Sequence, residues 1–197
     1  MMRSLTLAII LSVFMGCSSP AVRYTSEEIK GFPPEIQQKV IKGEVSTGMT
    51  PQQVRYAWHA PKGVQTTKTK DNKLVELWNY SIMGACPITL YFSEGKLYSI
   101  VLAEGSKTSE IRYTQEEIKA YPEEIRQYII NAQIVTGMTP QQVRNSWGSP
   151  EGVSSYKDAD GKSKEEWVYA SSPLCKVTLV FTEGKLSGVL RTEGIGR

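Results

Sequence analysis

Gly48-Met49-Thr50-Pro51-Gln52-Gln53-Val54 is a complete helix start, and it occurs a second time, unaltered, as Gly137-Met138-Thr139-Pro140-Gln141-Gln142-Val143. Thr50 has the short, oxygen-bearing side chain of an N-cap. Pro51 suits the first helical position, where its missing N–H would have no partner anyway, and Gln53 can reach back to complete a capping box. Met49 before the cap and Val54 after it are spaced as a hydrophobic staple. A helix is therefore predicted to begin at Thr50 and again at Thr139. Val54 and Trp58 lie four apart on its inward face, and the helix ends at His59 or Gly148, ahead of Pro61 or Pro150.

Working outward from this pair, the chain overlays itself without a gap at an offset of 89 residues, 23–105 on 112–194, with about half of the aligned positions identical. Two copies of this length define paired small domains and not a solenoid. Segment 106–111 reads as a linker too short to let the copies part. Before Thr50, residues 34–45 read as one helical region with Ile36, Val40 and Ile41 facing inward, and copy two repeats this with Ile125, Ile129 and Ile130. After the helix, Lys70-Asp71-Asn72-Lys73 and Ala159-Asp160-Gly161-Lys162 read as hairpin turns. Trp78 and Tyr80, like Trp167 and Tyr169, alternate onto one strand face. The last hairpin sets Cys86, Ile88, Leu90 and Phe92 in one phase, then turns at Glu94-Gly95-Lys96. The expected class is α+β: two tandem modules, each two helices packed on one face of a three- to four-stranded antiparallel sheet.

The N-terminus reads as an address. Met1-Met2-Arg3 gives a basic start, and residues 5–15 form an uncharged apolar run too short to span a bilayer as a helix. Phe14-Met15-Gly16-Cys17 resembles the lipobox of bacterial lipoproteins, which implies a signal peptide over 1–16, lipid attachment at Cys17 and a tether over 17–22. Acyl chains such as palmitate would anchor the chain at about 0.8 kcal/mol per buried methylene. Ser18 fits sorting to the outer membrane, facing the periplasm. The other reading is an ordinary cleaved signal peptide.

Composition narrows the chemistry. Charged residues are 22% and the net charge is only +3, so charge gives no support to nucleic-acid binding. His59 is the single histidine, so no multi-histidine metal site can be built, and it reads as a surface helix end. Cys86 and Cys175 occupy equivalent, apolar-phased positions. The plain reading is two small core residues; the alternative is a disulfide between the modules, permitted by an exported compartment. Glu27-Glu28 and Glu116-Glu117 suit the first turns of helices rather than acid–base work. No catalytic constellation, metal spacing or cofactor motif is present, so neither an enzyme nor a bound cofactor is expected. Lys68, Lys70 and Lys73 gather on one hairpin of copy one, either as a solvated turn or as a contact for anionic lipid headgroups.

Gly-Met-Thr-x-x-Gln-Val, an aromatic, then Gly-x-Pro, Trp-x-Tyr and a strand ending Phe-x-x-Gly-Lys-Leu resemble the SmpA/OmlA or BamE-like lipoprotein domain. They stand here as 137–143, 147–150, 167–169 and 181–186, and again in copy one with His59 in place of the glycine. The resemblance implies two helices on an antiparallel sheet. It also implies a protein-binding role in outer-membrane or envelope assembly or maintenance, with another envelope protein as partner, a β-barrel assembly component being one such. The β-lactamase inhibitor proteins share a related fold in tandem, which makes a protein inhibitor or sequestering protein the second expectation.

Overall fold

In the computed structural model, which describes residues 23–69, 71–82, 85–102, 112–172 and 175–193, the two capping boxes are formed in full. Gln53 and Gln142 N–H donate to Thr50 and Thr139 Oγ1 at 3.3 Å, and each glutamine Oε1 accepts from its threonine N–H at 2.8 Å. The helices they start are α3 (Pro51–Trp58) and α6 (Pro140–Trp147), ended at His59 and Gly148. In chain order copy one runs α1 (Ser26–Lys30), α2 (Pro34–Lys42), β1 (Glu44–Val45), α3, β2 (Gly63–Lys68), β3 (Leu74–Ile82), β4 (Ala85–Ser93) and β5 (Lys96–Leu102). Copy two runs α4 (Gln115–Lys119), α5 (Glu123–Ile130), β6 (Gln133–Ile134), α6, β7 (Gly152–Lys157), β8 (Ser163–Ser172), β9 (Cys175–Thr182) and β10 (Lys185–Glu193). The class is α+β, with two antiparallel sheets of five strands each among the described residues.

Four expectations need correction. Each copy has three helices and not two, because the capping boxes at Thr25 and Thr114 start an extra short helix ahead of the expected pair. The single helical region over 34–45 breaks at Gly43, which takes φ 70, and Glu44–Val45 leave it as a strand. Ala132, at φ 52, makes the same break in copy two. Ile41 and Ile130 are not core residues: they stay 49% and 47% exposed, because the buried neighbours Val40 and Ile129 already take the inward direction and the next residue lies about 100° round the helix. Finally, each sheet has five strands and not three or four, because the extra one comes from the other copy. β1 of copy one pairs with β10 (Val45 opposite Val189), and β6 of copy two pairs with β5 (Ile134 opposite Ile100).

This exchange is reciprocal and obeys a pseudo-twofold. The two pairings map onto one another at the repeat offset, and Thr47 Oγ1 and Thr136 Oγ1, 89 residues apart, share a hydrogen bond on the axis. Lys39 Nζ crosses the seam to Ser187 O at 2.9 Å. The core is continuous across it: Val45, Ile100 and Trp78 belong to the same buried cluster as Ile134, Val189 and Trp167.

The motif glycines and aromatics all have internal work. Gly48 and Gly137, at φ 88 and 92, donate to Leu97 O and Leu186 O at 2.7 and 2.8 Å. Leu97 and Leu186 N–H return the bond to Met49 O and Met138 O at 2.8 Å, so Gly-Met-Thr and Gly-Lys-Leu are two sides of one contact. Trp58 and Trp147 Nε1 close the helix-to-strand break by donating to Gly43 O and Ala132 O at 2.9 Å. Tyr80 and Tyr169 hydroxyls donate to His59 O and Gly148 O at 3.0 and 2.9 Å.

Candidate interaction surfaces

Cys175 opens β9 on its core-facing side, 1% exposed, and it is disulfide-bonded. The plain reading of this residue as a mere small core side chain is therefore incomplete. Cys86 holds the equivalent place near the start of β4, but its side chain lies outside the described atoms, as do Cys17 and Lys70. Signal peptide, tether and linker also fall outside the described residues.

Of the remaining two lysines of the copy-one hairpin, one ends a strand and the other lies in the turn before the next, beside an acidic side chain, so they make no purely basic patch. Lys68 ends β2 opposite Leu74, and Lys73 Nζ lies 3.6 Å from the Glu94 carboxylate. That pair is well exposed, so it is worth at most a fraction of a kcal/mol. Between Pro51, Lys73, Leu74, Glu76, Phe92 and Glu94 is an open cavity of about 290 Å³. Its apolar floor includes Leu74, 58% exposed, which sequence reasoning passed over. The signal available was comparison of the copies, since Leu74 is Ser163 in copy two while Pro140, Lys162, Glu165, Phe181 and Glu183 match the rest.

The sheet faces opposite Trp78 and Trp167 also differ between copies. Copy one carries Leu77, Tyr91 and Tyr98, with the two tyrosine rings 6.1 Å apart; copy two carries Glu166, Val180 and Ser187 there. Among the described residues each sheet ends in a two-residue strand, β1 or β6, on one side and in a six-residue edge strand, β7 or β2, on the other. Val64 and Val153 stand half-exposed along those edges.

The electrostatics are those of a framework. The Arg55 and Arg144 guanidinium groups sit 4.9 and 4.6 Å over the rings of Trp78 and Trp167, whose Nε1 donate to Glu76 and Glu165 at 3.0 Å. Burial pushes the Tyr80 and Tyr169 hydroxyls far up, so both act as donors and not as bases. Glu44, 8% exposed on the exchanged strand, is also held above the usual carboxylate range, by burial that nearby Lys39 and Lys164 only partly offset. Its carboxylate lies over Gly188, where an added Cβ would collide with Glu44 Oε1. Glu28 is shifted the other way by the Thr25 N–H and hydroxyl of its capping box. His59 is exposed and caps α3 at φ 67, where it bonds through its carbonyl.

Among the described residues no group of three or more His, Cys, Asp or Glu could hold a metal ion. No helix among them is long and apolar enough to cross a membrane. In comparison with known proteins, no family model matches the chain and no curated protein matches it.

Proposed function

We propose that this chain is a non-catalytic, lipid-anchored protein of the bacterial outer membrane that binds another envelope protein. Its two BamE-like modules, each of three helices and an antiparallel sheet, support envelope assembly or maintenance. The observation that carries this reading is the use made of the repeated motif. Trp58, Trp147, Tyr80, Tyr169, Gly48 and Gly137 are all occupied in holding the fold, which leaves binding to the faces, edges and cavity where the copies differ. The disulfide at Cys175 supports export, since such bonds persist in oxidising compartments. The sequence at Cys17 supplies the anchor, and the hairpin of Lys68, Lys70 and Lys73 rests on anionic headgroups beside it.

The test is crosslinking in intact cells, purification through a C-terminal tag, and mass spectrometry of the crosslinked partner. Recovery of β-barrel assembly components supports the reading. Recovery of a single secreted or periplasmic enzyme instead would sink it in favour of an inhibitor. For the hairpin, a chain carrying Cys17→Ser is mixed with anionic liposomes. Changing Lys68, Lys70 and Lys73 to Gln should weaken its binding, and unaltered binding would remove the headgroup contact.

A further inference from the structure

We propose that the mate of Cys175 is Cys86, and that their disulfide is a covalent lock across the pseudo-twofold. Three observations converge on Cys86. First, Cys86 and Cys175 are equivalent positions of the repeat, as are Thr47 and Thr136, which meet on the axis. Second, β4 and β9, the strands that begin at or beside these cysteines, approach one another across the seam. Third, the Arg191 guanidinium lies 5.6 Å from the centre of the Tyr80 ring. Arg191 is paired with Val177, two residues beyond Cys175, and Tyr80 with Ile88, two beyond Cys86. That one contact therefore brings the strand neighbours of the two positions together across the seam. The chain's remaining cysteine, Cys17, is the candidate lipid site.

The step is a thiol–disulfide exchange with an external disulfide-bearing oxidant, such as an oxidoreductase of the exported compartment. One thiolate attacks the oxidant's disulfide and releases one of its sulfurs as a thiol. The second thiolate then displaces the mixed disulfide, forming the protein's S–S bond and releasing the other. Two electrons and two protons end on the oxidant. Because Cys175 is buried in the finished core, attack must precede complete closure. The oxidant is thus predicted to act on a partly docked chain. Once closed, the bond spans a loop of almost half the polypeptide and holds the two short exchanged strands in register without further help.

The full chain, alkylated in the cells before lysis, is digested with trypsin without reduction. The expected product is peptide 74–96 joined to peptide 165–176. Recovery of Cys175 joined to Cys17 or to a small thiol, or of Cys86 fully alkylated, would overturn the assignment. Thermal melting gives an independent reading. Cys86→Ser, Cys175→Ser and the double variant should each lose the same amount, about 10 °C, because each removes the same bond once. Reductant should lower the Tm of the parent alone. Losses that add in the double variant, or a reductant effect that survives Cys86→Ser, would contradict the lock.

Discussion

At the scale of single residues, the two copies serve as controls for one another. His59 is held at φ 67 and ψ −171, a region that essentially only glycine occupies freely, and copy two has Gly148 there at φ 84 and ψ −164. His59→Gly should therefore raise stability by about 1–3 kcal/mol in urea unfolding, and Gly148→His should lower it comparably. The space at Gly148 would admit a Cβ, whose nearest neighbour is Arg112 Cδ at 3.7 Å, so the loss there is conformational and not steric. Glu44 offers a second such pair, since Gln133 fills its place in copy two. With its folded value raised by burial, the native state holds a proton that the unfolded chain has already given up above the ordinary value of 4.5. Stability from this site is present at low pH and is lost as pH rises through the raised value. Glu44→Gln should thus flatten the fall in stability on raising pH above about 4.5. An unchanged slope in a pH series of denaturant melts would count against the buried carboxylate as its cause.

Elements were legible where a few residues fix them and obscure where partners do. Thr50, Pro51 and Gln53 define the start of α3 by chemistry local to four residues, and the structure has it there. Replacing Thr50 or Thr139 by Ala should cost about 1 kcal/mol each, read as a lowered urea midpoint. By contrast, Glu44–Val45 and Gln133–Ile134 are strands of two residues. Two residues carry no periodicity, so they read as tails of the preceding helices, and only a neighbour far along the chain makes them strands. The exposed edge of the cavity was missed for a related reason: Leu74 looks like any strand residue until the space beside it is known. The exchanged strands give a prediction that a self-contained module would not. Val45→Pro removes an N–H from β1, yet faster amide exchange should appear at 189–190 of copy two and spare 100–101 of copy one.

For the molecule as a whole, the continuous core and the reciprocal strands should make unfolding one event. Single-tryptophan variants retaining Trp78 or Trp167 should melt at the same temperature, whereas two separated transitions would show the copies to be independent. A chain cut between the copies would leave each half one strand short. Read backwards, the same feature says something of origin. A lone unit of this kind could gain its fifth strand only by associating with a twin, in a pair whose assembly would depend on its abundance. Joining the twins in one polypeptide turned that encounter into an intramolecular one, which dilution cannot reverse. It would also let the halves diverge at positions the fold does not use, so that Tyr91 and Tyr98 of one copy correspond to Val180 and Ser187 of the other while Thr47 and Thr136 stay alike.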